Sequence, residues 1–268
     1  MADRGESIAR AIRAALLTAQ PRAKAMAARD VARGWRLGLL EPRFDVAMPD
    51  EPARPARPEL LAPRDMPRRG RGSAHGRIAQ WHALAHIEFV AIDLALDMAG
   101  RFGSEMGPDF VGDFLSVAAD EAMHFALLDR KLRTMGSAYG ALPAHDGLWS
   151  SAAATSHDVA ARLAVVPMVL EARGLDVTPA MIERTQRQGD EHGARIMTRI
   201  LNDEIRHVGL GTAHFVAEAE RRGENAQNLW KCLVREHFNG VLKAPFNDSA
   251  RHAAGLSQGF YGDLAQRT

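Results

Sequence analysis

Apolar residues recur at three- and four-residue intervals along most of the chain, and a period of two is nowhere sustained, which predicts helices rather than strands. Long helical stretches are expected at residues 75–101, 109–135, 155–174, 179–188, 190–222 and 226–239. Pro108, the connection 136–151, Gly174 with Pro179, and Gly223 punctuate them. Two shorter amphipathic helices are expected at 7–19 and 22–40, where small apolar residues alternate with arginine. From Glu41 to Gly72 the prolines Pro49, Pro52, Pro55, Pro58, Pro63 and Pro67 remove the donors and the backbone freedom that a helix needs. That stretch reads as an extended, arginine-decorated strap, and the fold class is all-α.

The long helices carry carboxylates where none is expected. On the first, one face runs through Trp81, Leu84, Ala85, Glu88, Ala91, Ile92, Ala95 and Ala99, so Glu88 is the one charged group in an apolar stripe. The second helix has Phe114, Val117, Ala118, Glu121, His124, Phe125, Leu128 and Leu132. In the third, Leu163, Ala164, Met168 and Leu175 surround Glu171, and in the fourth Ile200, Leu201, Val208 and Gly211 surround Glu204 and His207. An uncompensated carboxylate in an apolar interior is too costly to keep, so each of these positions calls for a cation or a hydrogen-bond partner.

Spacing joins the four positions into one pattern. Glu88 and Glu121 are 33 residues apart, as are Glu171 and Glu204, and the two Glu…Glu-x-x-His series are offset by 83. One Glu-x-x-His is weak, because Glu and His at i, i+3 are commonly a solvated helix pair. Two of them, each with an upstream Glu on an apolar face, make the ligand set of a di-metal carboxylate four-helix bundle: Glu88, Glu121, His124, Glu171, Glu204 and His207. Carboxylate and imidazole together suit two iron ions, with manganese or a mixed pair as alternatives. Asp120 and Asp203 precede the two motifs, and metal-bound histidine usually donates its second N–H to a carboxylate, so Asp120 is expected to bind His207 and Asp203 to bind His124.

Further candidates fall outside that set. His82 and His86 form a polar stripe with Asp93 and Asp97 away from Glu88, better suited to hydrogen bonds with neighbouring elements or a covering loop than to metal. His145, Asp146 and Trp149, in the connection after the second helix, could line a pocket or anchor a crossover. Arg206, between the ligands of the fourth helix, is expected in a bundle-surface ion pair. The segment 243–252, with Lys243, Arg251 and His252, reads as a structural tail before it reads as an anion site.

Composition changes the picture in two ways. The formal charge of +1 hides an asymmetry, because residues 1–77 carry sixteen Lys/Arg against nine Asp/Glu. That basic segment makes RNA a candidate partner, although Trp35 and Phe44 are too few aromatics for a stacking platform. Cys232 is the single cysteine, which excludes an internal disulfide and a cysteine-rich metal site. No apolar run is long enough to span a bilayer, and Asp3, Glu6, Arg10 and Arg13 interrupt any secretory signal, so a cytoplasmic protein without a membrane partner is expected.

At this point the chain resembles the ferritin-like superfamily, and within it the DUF455 family. The motifs are His82-x-x-x-His86-Ile-Glu-Phe-x-Ala-Ile-Asp-Leu-Ala, Asp120-Glu-Ala-x-His-Phe, Pro143-Ala-His-Asp-Gly-Leu-Trp, Leu170-Glu-Ala-Arg-Gly-Leu-Asp-Val-Thr-Pro179 and Asp203-Glu-Ile-x-His-Val. The resemblance covers most of the chain and implies a ferritin-like four-helix bundle with a long crossover, extra N-terminal helices and the Pro/Arg strap. The expected division is 1–74 for helices and strap, 75–240 for the bundle and 241–268 for a tail. A more distant similarity, to the tRNA-modifying hydroxylase of the same superfamily, is a fold-level analogy.

The function expected is O2 activation at a di-iron centre, hydroxylating or oxidising an organic substrate with electrons from an external donor. No glycine fingerprint for flavin or nicotinamide follows a strand in this chain. The rivals are a ferroxidase or peroxide-reducing protein of rubrerythrin type, and a metal-stapled nucleic-acid-binding or structural module. A homodimer is compatible with each.

Overall fold

A computed structural model of the chain describes residues 5–62, 65–67 and 73–264, so part of the strap and both chain ends lie outside the described residues. The fold is all-α, and the chain divides into two compact units, Met1–Ser150 and Ser151–Thr268.

The first unit is built on a helix hairpin, α3 (Ala74–Met106) and α4 (Pro108–Thr134). Ser73 caps α3 by accepting from Gly76 N–H, and the turn is the single residue Gly107, whose φ of 90° a side-chain-bearing residue rarely adopts. Pro108 then opens α4 at a position where no backbone donor is needed. Two N-terminal helices lie on this hairpin, α1 (Ile8–Leu16) against α3 and α2 (Pro21–Arg36) against α4. Alternation predicted no strand, and the described residues add a two-residue parallel pairing, β1 (Leu60–Leu61) of the strap with β2 (Ala144–His145) of the connection after α4, and an isolated bridge between Ser7 and Glu41.

The polar stripe of α3 holds these additions in place. Asp93 is fully buried and accepts from Lys24 Nζ of α2 at 2.6 Å and from Arg54 Nη1 of the strap at 2.5 Å. Lys24 also donates to the Ala53 carbonyl at 2.9 Å. Burial pushes the Asp93 carboxyl up and the Lys24 ammonium down from their ordinary values, against the attraction within the pair. One turn on, Asp97 receives Arg101, whose Nη2 also reaches the Pro49 carbonyl at 2.9 Å. The strap is thus tied to α3 at two successive carboxylates.

After a short helix, α5 (Gly147–Ala154), the chain repeats the hairpin in its second unit. Its first arm runs from α6 (Val159–Val165) through a π-helical segment, Val166–Glu171, into α7 (Ala172–Arg187), and its second arm is α8 (Glu191–Arg221). The helix break expected at Gly174 and Pro179 is absent, since α7 continues through both. Pro179 lacks the N–H that would bond the Leu175 carbonyl, and Asn247 Nδ2 donates to that carbonyl instead, at 3.1 Å. The chain after α9 (Ala226–His237) therefore clamps the prolyl helix. Arg251 is buried, forks onto both oxygens of Asp176 at 2.8 and 2.7 Å, and stacks on Phe246 and Tyr261. Arg173 donates to the Lys243 carbonyl at 2.7 Å. Residues 243–252 are a structural clasp.

Two stability outcomes follow from these contacts. Asp93→Ala leaves Lys24 and Arg54 without their buried counter-charge and should cost roughly 3–5 kcal/mol in chemical denaturation. Asn247→Ala should cost about 1–2 kcal/mol, and less in a Pro179→Ala background, where the helix regains its own donor for Leu175. Additive losses in that double-mutant cycle would rule out the carbonyl exchange.

Candidate metal centre

The α3/α4 hairpin brings Glu88, Glu121 and His124 together. Helical spacing puts Glu121 and His124 one turn apart on α4, and the antiparallel turn at Gly107 sets Glu88 opposite them. Glu88 is 4% exposed, Glu121 1% and His124 0%, among Ala85, Ala91, Ile92, Val117 and Ala118. His124 Nδ1 lies 3.2 Å from Glu88 Oε2 and 3.4 Å from Glu121 Oε2, and the three ligand-type atoms fall within 4.8 Å of one another.

These donors fit a metal ion. Two donors roughly 2.1 Å from a common ion stand about 3 Å apart when they subtend a right angle, close to the separations seen here. Two carboxylates and an imidazole are donors that divalent metal ions take. The electrostatics agree. Burial drives the Glu88 carboxyl well above its ordinary range, and the neighbouring Glu121 carboxylate pushes it further. Burial opposes a charged His124, yet hydrogen bonds to Glu121 and Glu88 outweigh it and push the imidazolium up to about 11. The pocket is built for positive charge, so this buried Glu/His cluster could hold a metal ion.

In the second unit, α8 buries Glu204 and His207 one turn apart, with Glu204 Oε1 3.8 Å from His207 Nδ1. Glu171 is half-buried at the last residue of the π segment. A π turn admits one extra residue into a helix and re-aims the side chains beside it. Pro167 starts this distortion by removing a helical donor, and it packs so close to Gly211 of α8 that a Cβ there would collide with the proline ring. Periodicity could not reveal the π segment, and Pro167 inside the run Val165-Val166-Pro167-Met168-Val169 is the one local signal that could have found it. Asp120 and Asp203 are both half-buried, and Asp203 accepts from Arg199 Nε at 2.5 Å. Arg206 is exposed.

The remaining candidates serve the crossover. A carbonyl only accepts, so His86 Nε2, 3.1 Å from the His145 carbonyl, carries the proton, and Nδ1 accepts from Tyr139 Oη at 3.0 Å. Burial holds His86 at about 4, which keeps it neutral as this pattern requires. His82 Nε2 accepts from Gly140 N–H at 2.9 Å. His145 Nδ1 accepts from Gly147 N–H at 3.2 Å, Trp149 is buried with the Arg54 guanidinium 5.9 Å from its ring, and Asp146 is half-buried. Tyr139, at the start of the connection after α4, stacks on His82 and His86 and packs against Phe89 and Phe125.

The sequence matches the family described as "Protein of unknown function (DUF455)" over residues 17–262. The chain belongs to the DUF455 family. Both hairpins and all six Glu and His positions lie inside the DUF455 segment. An "Uncharacterized protein" of Haemophilus influenzae is 43% identical over 210 residues, which cover 76% of this DUF455 chain and 73% of that relative. No solved structure matches it. Among the described residues, no helix is long and apolar enough to cross a membrane.

Because the metal-free cluster holds a proton on His124 at neutral pH, a divalent ion must displace it. Manganese(II) affinity should therefore rise with pH between 6 and 8, by about tenfold per unit for each proton released, as calorimetry in buffers of different ionisation enthalpy would report. Glu88→Gln should weaken that binding at least about tenfold while leaving metal-free stability equal or higher, since the amide no longer sets a second acid beside Glu121. Affinity independent of pH would contradict the assignment.

Proposed function

We propose that this DUF455 chain is a di-metal carboxylate oxidoreductase of ferritin-like build, an O2-dependent oxygenase or hydroxylase acting on an organic substrate. The observation that carries the reading is a hairpin that buries two carboxylates and an imidazole within 4.8 Å of one another. The same Glu…Glu-x-x-His series, at the same 33-residue spacing, recurs in a second hairpin. In this proposal Glu204 joins Glu88, Glu121 and His124, and Glu171 and His207 complete a six-ligand set for two iron ions, manganese being the alternative. Iron held by such a set supplies the one-electron chemistry that activates O2.

The chain's own residues prepare the site. Glu88 and Glu171 give one carboxylate from the first arm of each hairpin, and each Glu-x-x-His gives a carboxylate and an imidazole from the second. Asp120 and Asp203 would orient His207 and His124 from the opposite hairpin. The apolar stripes around the ligands exclude water, which strengthens charge interactions inside and protects reactive groups from solvent. The chain has no flavin or nicotinamide fingerprint, so the electrons would come from a separate donor, in the cytoplasm.

Protein purified from iron-supplied cells should contain about two irons per chain by metal analysis, one set of six ligands for two ions. Glu121→Ala and Glu204→Ala should each lose most of the iron while the helical circular dichroism is retained. Equal iron in the variants, or a metal-free parent of equal stability, would defeat the reading. Excess iron(II) in air separates the two redox functions: an oxygenase stops after the bound iron is oxidised until a reductant is supplied, whereas sustained oxidation of free iron(II) would identify a ferroxidase.

A further inference from the structure

On the outer side of the first unit, α2 and α4 enclose a groove of about 310 Å³, the lower end of small-molecule site volumes. Its chemistry is two-sided. The floor is apolar, formed by Ala25 of α2 and by Ala122, Phe125 and Ala126 of α4, with Met26 standing 66% exposed at the edge. The walls are cationic. Arg22 and Arg29 rise from α2, and Arg130 and Arg133 from α4.

This is no accident of a basic surface. Arg22 and Arg29 lie seven residues apart on one face of α2, and Phe125, Asp129 and Arg133 recur at four-residue steps on one face of α4. Asp129, 5% exposed, fixes one guanidinium from each wall: its Oδ2 accepts from Arg22 Nε and Nη2 at 3.2 and 3.1 Å and from Arg133 Nε at 3.2 Å. The rim therefore holds four arginines against one aspartate, with two of the four preorganised.

We propose that this groove binds a small amphiphilic anion, a molecule whose apolar body lies against the exposed Met26 and Ala126 while phosphate or carboxylate groups pair with the arginines of the two walls. A nucleic-acid strand fits it less well. The groove has one aromatic ring in its floor, and Phe125 is only 1% exposed, so no face is free to stack a base. The proposal is independent of the metal reading, because every residue it uses is in place without an ion.

Calorimetric titration of the metal-free full chain with hexyl phosphate, inorganic phosphate, hexanol and a 20-nucleotide single-stranded RNA tests it. Hexyl phosphate should bind at one site per chain, at least about tenfold more tightly than inorganic phosphate or hexanol, since each part of the ligand contributes. The exposed double variant Arg29→Glu/Arg130→Glu should lose at least about tenfold in affinity, and Arg29→Lys/Arg130→Lys should recover most of it as charge alone. Ala126→Trp, at an exposed position, should block binding with unchanged circular dichroism. Equal affinity for inorganic and hexyl phosphate, or binding indifferent to these variants, would overturn the proposal. So would RNA that binds more tightly and displaces hexyl phosphate, which would make the surface a nucleic-acid contact.

Discussion

A carboxylate survives in an apolar interior only beside positive charge, and α3 carries three buried ones within ten residues: Glu88, Asp93 and Asp97. Most of the first unit can be understood as the answer to that demand. Asp93 faces the N-terminal segment, where Lys24 and Arg54 meet it, and Asp97 pairs with Arg101 one turn further along α3 itself. Glu88 faces the other way, to Glu121 and His124, where the protein's own compensation is a proton on an imidazole. One helix thus has a side whose charges are matched by the protein and a side whose charges suit a metal ion.

That distinction explains what could be read in advance. The long helices and the Glu-x-x-His pairs were legible because a 3.6-residue period makes one misplaced charge conspicuous, and α3, α4, α8 and α9 fall within a few residues of expectation. The polar stripe was legible as a stripe, but its partners were not. Nothing local in Lys24 or Arg54 says that it will reach Asp93, because the contact depends on how the strap returns to α3. Prolines misled in the opposite direction. Pro179 marked a helix end in the sequence, yet the helix continues through it, and Asn247, 72 residues from Leu175, donates to the carbonyl that the proline leaves open. Pro167 raised no expectation and produced the π segment beside Glu171.

The crossover shows how little slack remains around the candidate centre. His86 is two residues from Glu88, and both its ring nitrogens are engaged, one with Tyr139 and one with the His145 carbonyl. The loop that follows α4 is thereby held to α3 two residues from Glu88. Such indirect support, from residues that touch no metal, is what keeps ligands at fixed positions.

The grip on Asp93 also bears on the order in which the chain can fold as it is made. Lys24 and Arg54 precede Asp93 by 69 and 39 residues, so on the ribosome they emerge before the carboxylate that both will hold. Helix α2 and the strap must wait, charged and solvated, until α3 is synthesised, and docking then closes two long loops at once. A nascent chain halted before residue 93 has a basic, unanchored N-terminal arm, and its compact first unit becomes available only after the ribosome has passed that aspartate.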